Sequence, residues 1–96
     1  EGVSRAPFFE ALQGVASAYE RARVLQRLLR RTDLSQATLV TIINEAGRIS
    51  SDHEASQVLI AAARGRQLTG EVRDAYLRAA DQLSEHEKGQ VLSALR

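Results

Sequence analysis

Two histidines and three glutamates are the side chains in this sequence whose types and positions could do chemistry. The glutamates end three Ser-x-x-Glu boxes, at residues 17–20, 51–54 and 84–87, and the last two boxes also contain His53 and His86. Imidazole and carboxylate groups bind zinc and transfer protons, so a repeated His-Glu pair first suggests a metal site or an acid–base pair.

The alignment of the three boxes favours a structural role instead. Tyr19 occupies the position of the two histidines in the first box, and a phenol is a poor replacement for a metal ligand. A Ser-x-x-Glu box begins a helix, because the serine hydroxyl accepts from the backbone N–H three residues on and the glutamate accepts from the serine N–H. We therefore expect Glu20, Glu54 and Glu87 to have capping functions. We expect no catalytic residue, metal site or cofactor.

No other catalytic pattern is present in the sequence. It has no nucleophile elbow, no His-Glu-x-x-His zinc helix and no glycine-rich phosphate loop. The sequence therefore predicts a chain that is not an enzyme.

The boxes recur at serine-to-serine spacings of 34 and 33 residues, and Val-Leu follows each glutamate by four residues. A second apolar pattern, at i, i+1, i+4 and i+7, begins at Phe8, Ile42 and Tyr76 and alternates with the boxes. Such a period built of helices is typical of a repeat array. The predicted fold is all-α, an α-solenoid of three stacked antiparallel helical hairpins. Its helices are expected at roughly 6–15, 18–31, 36–48, 52–64, 70–82 and 85–95, in units of about 1–31, 32–65 and 66–96.

Local signals refine these boundaries. Ser35 and Thr69 are suitable N-caps for the third and fifth helices, and Gly65 is suited to a left-handed residue just after a helix. The third repeat has one residue fewer than the second, and the alignment places this deletion in the turn before the box. A helical repeat can lose a residue there without rotating either helix.

The length of 96 residues indicates one small domain. Its net charge of +1 argues against a dedicated nucleic-acid binder. The absence of cysteine excludes disulfides and thiolate metal sites. The chain begins Glu1-Gly2 without an initiator methionine, so we interpret it as a piece of a longer protein.

The helix expected at 18–31 carries five arginines, which are the only strong local charge bias in the sequence. A functional interpretation is contact with an anionic partner, which could be an acidic peptide, a lipid head group or nucleic acid. The simpler interpretation is a solvated helix face with cations near the helix C-terminus. Aromatic residues do not interleave with the arginines, which argues against stacking on RNA bases. The candidate anionic contacts are Arg21, Arg23, Arg27, Arg30 and Arg31.

The end faces and one helix face are candidate contact surfaces. Phe8 and Phe9 on the first helix and Leu92 and Leu95 on the last predict uncapped ends that could self-associate. On the helices of the second apolar pattern, the residues that face away from the apolar stripe are candidate partner contacts. They are Thr41, Asn44, Glu45, Arg48, Arg78 and Gln82.

The segments at residues 49–59 and 83–92 resemble a known class of repeat. They are similar to the Ile-Ser-Ser-Asp-Tyr-Glu-Lys-x-x-Val-Leu repeats of uncharacterised bacterial proteins, which occur in extracytoplasmic regions of membrane-anchored proteins and BlaR-type sensor metallopeptidases. The chain otherwise has a HEAT-like or tetratricopeptide-like look without the tetratricopeptide signature. The resemblance implies a helical-repeat segment, favours a periplasmic location and carries over no functional residue.

The sequence thus favours a non-catalytic helical-repeat module of a bacterial protein that contacts another protein or a peptide. The first alternative is a structural spacer or oligomerisation segment. The second is binding of an anionic surface or nucleic acid through the arginine-rich helix. The sequence does not identify the partner.

Overall fold

Five helices make up the computed structural model, which describes residues 17–95. They are α1 (Ala18–Leu28), α2 (Gln36–Gly47), α3 (Asp52–Ala63), α4 (Gly70–Asp81) and α5 (Glu85–Ser93). The all-α prediction is confirmed for this part of the chain, which forms no strand. The helix expected at 6–15, with Phe8 and Phe9, lies outside the described residues. No helix within 17–95 combines the length and apolarity that a membrane crossing needs.

Each of the five helices begins at its predicted N-cap, and the first box forms as expected. The Glu20 N–H donates to Ser17 Oγ at 3.2 Å, and the Ser17 N–H donates to Glu20 Oε1 at 3.1 Å. Ser35 caps α2 in the simpler manner, accepting from the Thr38 N–H at 3.1 Å. These bonds satisfy N–H groups that have no partner within a first helical turn.

The other two boxes depart from the expected pairing. Ser51 Oγ accepts from the Glu54 N–H at 3.3 Å, which is only the serine half of a box. The Ser84 hydroxyl caps no backbone N–H and donates to the Glu87 carboxylate instead. The Ser84 N–H donates to Asp52 Oδ2 at 3.0 Å, because this carboxylate from the preceding box takes the position expected for Glu87.

Two helix ends show how local backbone geometry sets boundaries. α1 ends at Leu28, three residues before the predicted end, because the Arg30 and Arg31 N–H groups bond to carbonyls three residues back and tighten the chain. Gly65, just beyond α3, has a φ of +76°, which confirms the predicted left-handed position. The turn before α5 is one residue shorter than that before α3, where the sequence places the deletion.

Contacts between helices join alternate elements along the chain. α2 packs most extensively on α4, while α3 packs on both α1 and α5. The consecutive pairs α2–α3 and α4–α5 are also in contact. The predicted apolar stripes supply this core, whose largest fully buried hydrophobic side chains are Leu25, Ile42, Ile43, Val58, Leu59, Tyr76 and Val91.

Polar bonds at helix ends tie these elements together. The buried Tyr76 hydroxyl donates to the Val91 carbonyl, with 2.6 Å between the oxygens. The Arg66 guanidinium donates to the carbonyls of Ala62 at 2.9 Å and Leu29 at 3.1 Å, near the C-terminal ends of α3 and α1. All three bonds serve carbonyls at or just beyond the last turn of a helix, where intrahelical N–H partners are missing.

Candidate binding face

The histidines and glutamates of the boxes are placed at helix starts, as the capping interpretation requires. His53 and His86 are both exposed. The Ser84 hydroxyl, with smaller contributions from the two histidines, lowers the pKa of Glu87. Within residues 17–95, no three or more His, Cys, Asp or Glu side chains converge in a way that could hold a metal ion.

The five arginines predicted as anionic contacts differ in their surroundings. Arg23 lies over Tyr19, with its Cζ 5.4 Å from the ring centroid and Nη1 3.0 Å from the hydroxyl, so one aromatic residue does accompany the arginines. Arg31 forms a two-point pair with Asp33 at 3.0 and 3.1 Å, which lowers the pKa of that carboxyl. Of the remaining members, Arg21 is half-buried, whereas Arg27 and Arg30 are exposed.

The six predicted partner contacts lie on α2, on α4 and at their C-terminal ends. Asn44, Arg48, Arg78 and Gln82 are exposed. The Thr41 hydroxyl donates to the carbonyl of residue 37 at 3.0 Å. The half-buried Glu45 forms an ion pair with Arg48, with 3.7 Å between Oε2 and Nη1. None of the six lines either of the two surface depressions that follow.

Two depressions lie instead on α1, α3 and α5. The first, of about 340 Å³, lies between α1 and α3 and is lined by Gln26, Leu29, Arg30, Gln57, Ile60, Ala61 and Arg64. The second, of about 730 Å³ and more open to solvent, is lined by Gln57, Ile60, Arg64, His86, Gly89, Gln90 and Ser93. The two share Gln57, Ile60 and Arg64, so they form one continuous surface centred on α3.

The surface is built by residues at matching positions of each repeat. Gln57 and Ile60 on α3 and Arg64 at its C-cap follow one another at i, i+3 and i+7, which places them along one side of the helix. Arg30 and Arg64 each lie 13 residues after the serine of their box. We call the set Gln26, Arg30, Gln57, Ile60, Arg64 and Gln90 the basic face.

Charge and polarity on the basic face are unbalanced. Neither depression is lined by a carboxylate. Arg30 and Arg64 are exposed, and neither forms an ion pair with another residue of the described range. Three glutamines surround them, and a glutamine amide both donates and accepts hydrogen bonds. The half-buried Ile60 adds apolar surface at the centre.

Sequence reasoning included Arg30 among the anionic contacts but missed the rest of this face. The missed signal was the recurrence of arginine at the same distance from two boxes, 34 residues apart, on the stripe that carries Gln57. Periodicity alone could not show that the other helix layer, α2 and α4, lines neither depression.

Comparison with known proteins adds no relative to this geometry. The chain matches no protein-family model, and neither the curated proteins nor the solved structures gave a match.

Proposed function

We propose that this chain is a non-catalytic helical-repeat module that binds a segment of another protein on the basic face. The observation that carries the proposal is the pair of depressions that share Gln57, Ile60 and Arg64. A surface that continues across α1, α3 and α5 suits an extended peptide rather than a small ligand, because it is shallow and open.

The packing pattern supports the repeat interpretation. Contacts between α2 and α4, and between α3 and its neighbours α1 and α5, are those expected where successive hairpins stack in an α-solenoid of about 34-residue repeats. In such arrays the same helix of each repeat contributes to one extended surface. The resemblance to bacterial extracytoplasmic repeats, and with it a periplasmic location, stays a prediction.

A peptide selection tests whether the basic face binds protein segments. Three adjacent helices span about 20 Å at a usual spacing of 8–10 Å, and an extended chain covers this in about six residues. The full chain would therefore be used to select from displayed random peptides of about 12 residues. We expect enriched peptides that, in titrations of the ¹⁵N-labelled protein, shift the amide signals of Gln57, Ile60 and Gln90.

Two variants, one on each face, decide which face binds. Ile60→Ala should weaken the selected peptides by about fivefold. Full burial of an aliphatic side chain contributes roughly 1.5–3 kcal/mol, and the half-buried Ile60 can gain only part of this, about 1 kcal/mol, on binding. The double variant Asn44→Ala/Arg48→Ala, on the face that the sequence favoured, should leave affinity unchanged. The reverse result would transfer the site to α2 and α4, and failure to enrich any peptide would refute the proposed function.

A structural spacer is the second candidate function, and the exposed end of α4–α5 bears on it. Leu92 and Leu95, which the sequence predicts at an uncapped end, are half-buried against the core. A spacer or oligomerisation segment that works through this end should associate with itself. Light scattering over a concentration series would support that function if the mass increases and the peptide selection fails.

A further inference from the structure

Arg30 and Arg64 form a repeated pair of cations on the basic face that the fold itself does not use. Several other cationic side chains in this part of the chain have structural partners: Arg66 serves two helix ends, Arg31 pairs with Asp33, and Lys88 pairs with Asp81 at 3.0 Å. Arg27, Arg73 and Arg78 are also exposed and form no ion pair within the described residues, but they line neither depression. Arg30 and Arg64 form no ion pair with a carboxylate of the described residues, and both line the first depression.

We infer that the basic face takes an acidic segment of a partner protein, with one carboxylate on Arg30 and another on Arg64. A guanidinium presents a planar set of donors that matches a carboxylate at two points. The inference rests on the proposed function and adds the chemical class of the ligand. It concerns an extended protein segment that crosses from α1 to α3.

The glutamines favour a peptide over other anions. Gln26, Gln57 and Gln90 lie at the depressions, one on each of the three helices, and their amides can pair with both the N–H and C=O groups of an extended backbone. Ile60 supplies an apolar floor, which a phosphate backbone would not use. A net charge of +1 over the whole chain also gives little of the long-range attraction on which nucleic-acid binding depends.

Helix spacing sets the expected spacing of the acidic residues. Neighbouring packed helices are about 8–10 Å apart, and in an extended segment of polyproline II type, which has three residues per turn, side chains three residues apart lie on the same side, about 9 Å from each other. The two carboxylates should therefore lie about three residues apart in the bound segment.

The direct test uses three labelled probes of the same length. Each is a peptide of about 12 residues in which glutamate, glutamine or lysine recurs at every third position, and the remaining residues are leucine and serine. We expect the glutamate probe to bind the full chain most tightly in low salt and to weaken as salt is added, because surface charge interactions are screened beyond about 10 Å at 0.1 M. Fluorescence anisotropy gives the dissociation constants.

Charge-matched variants separate the proposed contacts from general attraction. Arg30→Gln and Arg64→Gln should each weaken the glutamate probe about threefold, and the double variant about tenfold, as expected for exposed ion pairs. The control, Arg73→Gln/Arg78→Gln, removes two exposed cations from α4 and should leave affinity unchanged. Equal losses in the two double variants would overturn the inference.

The remaining outcomes distinguish this inference from the proposed function. Equal binding of the glutamine and glutamate probes on the basic face would overturn the acidic ligand and leave a peptide-binding function standing. Absence of binding by all probes and by selected peptides would remove both. Tighter binding of a single-stranded oligonucleotide, or self-association that Arg30→Gln/Arg64→Gln abolishes, would replace the acidic segment with nucleic acid or a second copy of this chain.

Discussion

Replacing Tyr76 by phenylalanine should destabilise the fold by removing a buried hydrogen-bond donor. Tyr76 is 0% exposed, and its hydroxyl donates to the Val91 carbonyl at 2.6 Å. Val91 lies in the last turn of α5, and the Leu95 N–H, which would normally serve its carbonyl, bonds to the Leu92 carbonyl instead. The variant thus leaves a buried acceptor without this donor.

The expected loss is about 1–3 kcal/mol, which is the range for a buried polar group that loses its partner. For a domain of this size, that corresponds to a fall in melting temperature of about 4–20 °C. Circular dichroism at the helical band, with heat and with urea, measures both quantities. Tyr19→Phe is the matched control, since Tyr19 is 55% exposed and its hydroxyl meets only Arg23, so its change should stay within about 0.5 kcal/mol.

Alkaline pH gives an independent check on the same residue. Burial raises the pKa of Tyr76 to about 12 from an ordinary value of 10.0. A raised pKa in the folded state means that the stabilising contribution is complete below pH 10 and is lost as the pH rises toward and through about 12. The loss approaches about 1.4 kcal/mol per pH unit in that window.

The comparison between wild type and Tyr76→Phe isolates this titration, because both proteins contain every other ionisable group. The stability difference between them should be constant below pH 10 and shrink above it. A variant as stable as the wild type at neutral pH would refute the buried hydrogen bond. A difference that does not change between pH 10 and 12 would refute the burial of the hydroxyl.

Three further substitutions test other features by the same unfolding measurements. Arg66→Ala should lower the free energy of unfolding by about 1–3 kcal/mol, because it removes two charged donors from helix-end carbonyls. The control Arg64→Ala, at an exposed neighbouring position, should lower it by less than about 0.5 kcal/mol. Equal effects would contradict the Arg66 hydrogen bonds. Gly65→Ala should destabilise the fold by about 1 kcal/mol, because the φ of Gly65 is +76°. Gly89→Ala, inside α5 with open space around the added Cβ, should stabilise it by about 0.5–1 kcal/mol. Stability changes of the same sign in the two variants would refute the backbone argument. Asp52→Ala should cost about 0.5–1 kcal/mol by removing an acceptor that joins the starts of α3 and α5, and no change would show that this bond is not maintained in solution.

Features encoded within one helix were predictable from the sequence, and features that depend on two distant segments were not. Ser17, Ser35 and Ser51 were identified as caps because the interaction partner lies three residues away. The capping box predicted at Ser84 is not formed, because Asp52, 32 residues earlier, accepts from the Ser84 N–H. The spacing of residues within one helix does not contain that information.

The same limit applies to the binding face. Exposure of Arg30 and Arg64 follows from their phase on the helices, but the depressions between them depend on how α1 and α3 pack. Nothing in the sequence favours the outer surface of α1, α3 and α5 over that of α2 and α4. Its choice of Asn44 and Arg48 was therefore a choice between two polar faces that periodicity cannot rank.

Charges on the last hairpin bear on where a partner can bind. Counting 34 residues forward from α2, Leu39 and Gly47 correspond to Arg73 and Asp81 of α4. Gly47 approaches Ala79 closely where α2 meets α4, whereas Arg73 and Asp81 are exposed, and Asp81 pairs with Lys88. Packing another hairpin or a second copy against α4 would bury these charges, at a cost of several kcal/mol for each one left without a partner. The basic face carries no such penalty for an acidic segment, since its two arginines would gain carboxylates that the described fold does not provide.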